Sequence, residues 1–196
     1  MSRKLLCSWV ACVSLTSLVL AQHPASAEPP PPARGPRTPF VPSPQDVVEK
    51  MLELAKVKKA DLVVDLGCGD GRIVVTAARK YGCKSIGYDL DKECLRKAEE
   101  SVGKNQLGDQ VRIIREDIFN VDLSQVDVVT LYLWPSANEK LIPQLEKMKP
   151  GSRIVAHAIA IPGVVPDRVI PFTSQDDGQE RKLYLWTLPL KKEQGK

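Results

Sequence analysis

Three glycines and two acids within eight residues, Asp65-Leu66-Gly67-Cys68-Gly69-Asp70-Gly71-Arg72, are the part of this chain whose types and spacing can do chemistry. Glycines at alternate positions let a backbone turn sharply and come close to a ligand. Their spacing argues against two common ligands. A dinucleotide fingerprint needs Gly-x-Gly-x-x-Gly, and here the third glycine comes one residue early. A phosphate-binding Walker loop continues into Gly-Lys-Ser/Thr, which does not follow, and Asp65 and Asp70 would repel phosphate. Acids in such a loop suit a cation.

The loop needs a strand before it and a helix behind it, and both are readable. Asp61-Leu62-Val63-Val64 is short and apolar, as a buried parallel strand should be, and Ile73, Val74, Ala77 and Ala78 recur at helical spacing. A second strand, Lys84 to Tyr88, ends in Asp89, about twenty residues past the first glycine, where an acid accepts hydrogen bonds from ribose hydroxyls. Asp91 precedes Lys92-Glu93-Cys94-Leu95 and reads as the cap of the next helix. Further strands are expected at Val111 to Arg115, Val126 to Leu133 and Arg153 to Ala158, the third of all five followed by Glu116-Asp117-Ile118-Phe119. Strands alternating with helices predict an α/β fold with a mostly parallel sheet, and ligands in such sheets bind beyond the carboxyl ends of the strands.

A sulfonium and an α-ammonium are both positive, and on these residues the loop resembles the first motif of the class I S-adenosylmethionine (SAM)-dependent methyltransferases. That resemblance implies a Rossmann-like sheet with an antiparallel C-terminal strand and SAM as cofactor. It places SAM against Asp65, Gly67, Cys68, Gly69, Asp70, Gly71 and Asp89, with Asp117 on the adenine amino group and Ile118 on the ring. Thr38-Pro39-Phe40-Val41-Pro42-Ser43, the loop itself, Leu133-Trp134-Pro135-Ser136 and Leu141-Ile142-Pro143-Gln144-Leu145 narrow it further. Over about Thr38 to Arg168 the chain is similar to the membrane-associated protein-lysine methyltransferases of mitochondria, which modify a membrane component of ATP synthase and the adenine nucleotide carrier, and to their bacterial relatives. The implied acceptor is a protein, membrane-embedded in the narrowest form, and the implied enzyme acts as a monomer. The sequence departs from the full class after the fifth strand, because Ile161-Pro162-Gly163-Val164-Val165-Pro166 cannot hold a helix there. The fold is therefore expected to be abbreviated beyond that strand, with a closing hairpin of Arg168 to Phe172 and Lys182 to Leu188.

Candidates for the acceptor side are fewer. Tyr132 and Trp134, at the end of the fourth strand, can line a channel for an aliphatic amine, with Phe40 and Pro135 as further substrate contacts. His157 ends the fifth strand and is the sole histidine beyond the first 27 residues, so it is the candidate proton acceptor. No Asn/Asp-Pro-Pro-Tyr/Phe motif of nucleic-acid amino-methyltransferases is present, and no metal-ligand cluster is read. Ser43, Pro44 and Asp46 form a helix-start signature ahead of the apolar stripe Val47, Val48, Met51, Leu52 and Ala55. Transfer to an amine nitrogen, foremost a protein lysine, is the favoured activity. A small-molecule or RNA acceptor, or a SAM-binding module without turnover, are the competing readings.

Roughly 155 residues from Thr38 onward are enough for a single buried core, with residues 38–190 as the catalytic domain. Residues 28–37 form a Pro-rich linker and residues 191–196 a disordered tail. The formal net charge is +4, two units of it from Arg3 and Lys4, too mild to argue for nucleic acid. Arg3-Lys4, an apolar run from Leu5 to Ala21 and Ala25-Ser26-Ala27 make residues 1–27 a secretory signal or a membrane anchor. This places the protein in the bacterial periplasm or envelope, against a cytoplasmic enzyme with a mispredicted start. Cys68, Cys83 and Cys94 form an odd set that suits reduced thiols. Protein isolated from its own cells is expected to begin at Glu28, or to keep residues 1–27 in the membrane fraction. N-terminal sequencing that finds a soluble chain starting near Thr38 would overturn the export reading.

Overall fold

A computed structural model describes residues 41–193. The expected leader or anchor, the linker and Phe40 lie outside the described residues, among which no helix is long and apolar enough to cross a membrane. The chain runs α1 (Gln45–Leu54), β1 (Leu62–Leu66), α2 (Arg72–Tyr81), β2 (Lys84–Asp89), α3 (Lys92–Lys104), β3 (Val111–Arg115) and β4 (Val128–Leu131). It continues through α4 (Pro135–Leu145), β5 (Arg153–His157), β6 (Val164–Val165), β7 (Arg168–Thr173), β8 (Glu180–Thr187) and β9 (Lys191–Lys192).

Seven strands form one sheet in the order β3-β2-β1-β4-β5-β8-β7. The first five pair in parallel, and β8 runs antiparallel to both β5 and β7. This is the Rossmann-like sheet with an antiparallel C-terminal strand that the sequence implied. Both faces are covered. Val63, Val128, Val155, Leu183 and Leu185 meet α1 and the Ile73–Ala77 side of α2, while Val64, Leu66, Val129, Leu131, Ile154 and Trp186 meet Leu141 and Leu145 of α4. Coverage on both sides is why β1 and β4 read as near-continuous apolar runs.

Three expectations change. The abbreviation after β5 lies in the connection, not in the strand count: residues 158–167 carry only β6, and the hairpin β7–β8 completes the sheet. Side chains replace a helix in holding this connection. Trp186 Nε1 donates to the Val164 carbonyl at 3.2 Å, and Asn138 Nδ2 donates to the Ala160 carbonyl at 3.3 Å. Second, Lys191 and Lys192 are not a structureless tail, because β9 pairs with β6.

Third, α1 begins at Gln45, so Pro44 is its N-cap residue and no side chain caps it. Asp46 instead reaches the β7–β8 turn, accepting from Ser174 Oγ at 2.8 Å and the Gln175 amide at 2.5 Å. Burial raises the Asp46 carboxyl, but these donors outweigh it and hold the pKa below the usual value. The Ser43 hydroxyl is committed elsewhere.

Candidate active site

The three central strands end level with one another. Leu66 is paired with Tyr88 on one side and with Leu131 on the other, so the loop after β1 emerges between the ends of β2 and β4. It is hemmed in closely. A Cβ on Gly67 would lie 2.9 Å from Leu133 Cδ2, one on Gly71 2.9 Å from Ala98 Cβ of α3, and one on Gly87 2.8 Å from Cys68. Gly67 and Gly71 also have φ of 82° and 76°, where a side chain is strained. Gly87, inside β2, escaped sequence reasoning. Its mid-strand position next to the acid-bearing strand end was the available signal.

The loop amides are internally spent. Gly67 and Cys68 both donate to the Tyr88 carbonyl at 2.9 Å, Gly69 donates to Asp89 Oδ2 at 3.0 Å and Gly71 donates to the Cys68 carbonyl at 2.9 Å. A loop with four of its N–H groups already taken makes a poor phosphate cradle. What it presents is acid. Asp65 is 3% exposed and accepts from Thr130 Oγ1 at 2.6 Å. Burial pushes its pKa up to about 7; the Thr130 bond opposes this, and the charges of Asp89 and Asp70 add to it. Asp65 therefore lies near the point where a bound cation would decide its ionisation. Thr130, its hydrogen-bond donor, was not legible in advance, because a threonine in an apolar strand reads as packing.

Asp89 closes β2 with Oδ2 on the Gly69 amide and Oδ1 on the Asp91 amide at 2.9 Å. Asp91 caps α3 as expected, accepting from Glu93 and Cys94. Asp117 accepts from the Phe119 amide at 3.0 Å, which fixes the turn after β3, and Ile118 is half-buried against the core. Asp70 and Arg72 form a fork, Arg72 Nη2 standing 2.6 Å from Asp70 Oδ2, while Nη1 donates to the Ser43 carbonyl at 2.6 Å. Arg72 thus ties the loop to the segment ahead of α1. Cys68, Cys83 and Cys94 are free thiols, and burial with the charge of Asp65 pushes the Cys68 thiol well up, away from reactivity.

On the acceptor side, the Tyr132 ring lies 4.0 Å from the His157 imidazole, tilted by 31°. Trp134 is 59% exposed at the start of α4, followed by Pro135 as its first residue. His157 is 1% exposed, with Nδ1 2.8 Å from Ser43 Oγ. Burial, reinforced by the charge of Arg181 and opposed by Asp177, lowers its pKa to about 4. This makes the imidazole neutral and a weak base. Taking a proton from an ammonium with a pKa of about 10.4 would be unfavourable by on the order of a millionfold for such an imidazole.

With the geometry in place, comparison with known proteins assigns the family. The family model described as "ANTKMT methyltransferase domain" matches residues 65–168. A protein-lysine N-methyltransferase of Saccharolobus islandicus is 41% identical over 155 residues, covering 78% of this chain and 95% of that protein. This chain belongs to the ANTKMT methyltransferase family. A crystal structure described as an RNA methyltransferase from Salinibacter ruber in complex with S-adenosyl-L-homocysteine is 40% identical, with a TM-score of 0.71, over 76% of this chain and 94% of that one. The adenine nucleotide translocase lysine N-methyltransferase of Mus musculus is 30% identical over 68% of this chain, which spans 58% of that longer protein.

This methyltransferase uses SAM as its methyl donor, and its site fits that donor: buried and half-buried acids for positive groups, glycines that admit a ligand, and four loop amides already spent on the protein itself. Gly87→Ala tests the close approach that shapes the loop. The added methyl is expected to cost about 1–3 kcal/mol of stability in urea unfolding, and an unchanged midpoint would mean that Cys68 can withdraw freely.

Proposed function

We infer that this methyltransferase acts on the ε-amine of a protein lysine. The observation that carries this reading is the 41% identity with the Saccharolobus islandicus protein-lysine enzyme along 95% of its length. The aromatic mouth at the ends of β4 and β5 supports it, where Tyr132, Leu133, Trp134 and a neutral His157 gather and the nearby charges of Arg181 and Asp177 are paired with each other. SAM supplies a methyl group on a positive sulfur that an amine lone pair displaces in line. The chain's own work is alignment and exclusion of water.

Asp65 receives the α-ammonium, Asp89 the ribose hydroxyls, and Asp117 with Ile118 the adenine. Leu90, exposed beside Asp89, offers the ring a second apolar surface. A lysine must lose its proton before it can attack. Desolvation along Tyr132, Leu133 and Trp134 lowers the ammonium pKa, and the proton leaves to solvent past the exposed indole rather than to His157. The narrower form of the reading is a membrane-embedded acceptor at the cell envelope. The lysine methyltransferase of Mus musculus named for the adenine nucleotide translocase and the apolar residues 5–21 support it.

The described identity of the Salinibacter ruber structure favours a second acceptor, RNA. Incubating the protein with tritiated SAM and a cell extract, then separating protein from RNA, decides between them. Label is expected in protein and, after acid hydrolysis, in methyllysine. Label confined to RNA would overturn the lysine reading. The ammonium role of Asp65 predicts a pH dependence with a definite sign. A carboxyl titrating near 7 is largely protonated at pH 6 and ionised at pH 8, so SAM affinity should rise across that interval with proton release below pH 7. Calorimetry in two buffers should show both effects in the wild type and neither in Asp65→Asn; a flat wild-type profile removes Asp65 from cofactor binding.

A further inference from the structure

His157 closes β5 with one ring nitrogen that does nothing for the fold. Nδ1 faces Ser43 Oγ at 2.8 Å, whereas Nε2 is buried without a hydrogen-bond partner. The tautomer follows from counting donors. Ser43 is 4% exposed, and Nδ1 is the sole partner of its hydroxyl among the described residues. With the proton on Nδ1, the Ser43 O–H would lack an acceptor and the Nε2 lone pair would lack a donor. With Ser43 donating to a bare Nδ1, the proton sits on Nε2, and one group rather than two is left unsatisfied. The structure thus selects a buried Nε2–H that awaits an acceptor.

Its position narrows what that acceptor is. Leu66 pairs with Leu131 and Leu131 with Ala156, so the next residues, Gly67, Tyr132 and His157, lie side by side across three strand ends. The imidazole stacks on Tyr132 and bonds the hydroxyl of the residue whose carbonyl receives Arg72. The amino-acid end of SAM is a zwitterion. Its ammonium suits the acids of the loop, but its carboxylate needs donors, and Gly67, Cys68, Gly69 and Gly71 have already given theirs. The methyl-accepting amine is a poor partner for an N–H donor, because such a bond would occupy the lone pair that must attack.

We propose that the Nε2–H of His157, held in that tautomer by Ser43, donates to the α-carboxylate of the SAM methionine moiety. This extends the cofactor assignment by giving the negative group its binding residue. Arg72, anchored on the Ser43 carbonyl and Asp70, adds positive charge on the same side. His157 is then a cofactor-orienting residue that fixes the sulfonium by its tail while the acids fix its head.

Two ligands separate this role from packing. S-adenosyl-L-homocysteine carries the carboxylate; 5′-methylthioadenosine keeps the nucleoside and lacks the amino-acid tail. In calorimetry, His157→Phe is expected to weaken the first by roughly 10- to 100-fold while leaving the second within about twofold. Ser43→Ala, which frees the tautomer, should shift affinity in the same direction by less. Retained methylthioadenosine binding also shows that each variant is folded. Equal losses for both ligands, or no loss for S-adenosyl-L-homocysteine, would overturn the proposal, as would a nitrogen NMR spectrum of the free protein with the proton on Nδ1. Wild-type protein that binds neither ligand would overturn the cofactor assignment itself, a result distinct from any of these.

Discussion

Everything in this site depends on how little room lies between the carboxyl ends of β1, β2 and β4. Level parallel strands force the loop after β1 into a gap where a side chain on Gly67 would strike Leu133, one on Gly71 would strike Ala98, and Gly87 makes space for Cys68. The crowding spends the loop's amides on the neighbouring carbonyls and on Asp89. It also buries Asp65, whose charge would be costly there without Thr130. A loop built in this way has more acid than free N–H to offer, which is the physical content of choosing a sulfonium cofactor over a phosphate-bearing one.

Much of this was legible in the chain, because the signals were local. The strand–loop–helix pattern around Asp65 to Arg72, the strand β3 and the cap at Asp91 depend on neighbours a few residues away. What could not be read were contacts between distant segments. Nothing in the sequence says that Ser43 would leave the helix start to meet His157, that Asp46 would bind the β7–β8 turn, or that Trp186 would replace a helix by holding Val164. The environment of His157 was hidden for the same reason. An isolated histidine suggests acid–base chemistry, and its burial, which weakens it as a base, is a property of the assembled sheet.

The two sides of the site are built by opposite physics. The cofactor side is polar and rigid, with every carboxylate tied to a backbone amide or hydroxyl. The proposed acceptor side is aromatic, and it ends in an indole open to solvent. On the proposed lysine reading, a charged nucleophile entering this mouth sheds solvent before it reaches the methyl group, so the environment itself tunes reactivity.

The bond between Ser43 and His157 joins residues 114 positions apart. It brings together the start of the described chain and the end of its fifth strand, and β8 is inserted beside that strand later still. During synthesis the strands that carry the loop and its acids, through β4, emerge before β5 and β8. The wall behind them waits until almost the whole chain has emerged. The complete set of site residues, from Ser43 to His157, is therefore present only when β5 and the strand beside it have been made.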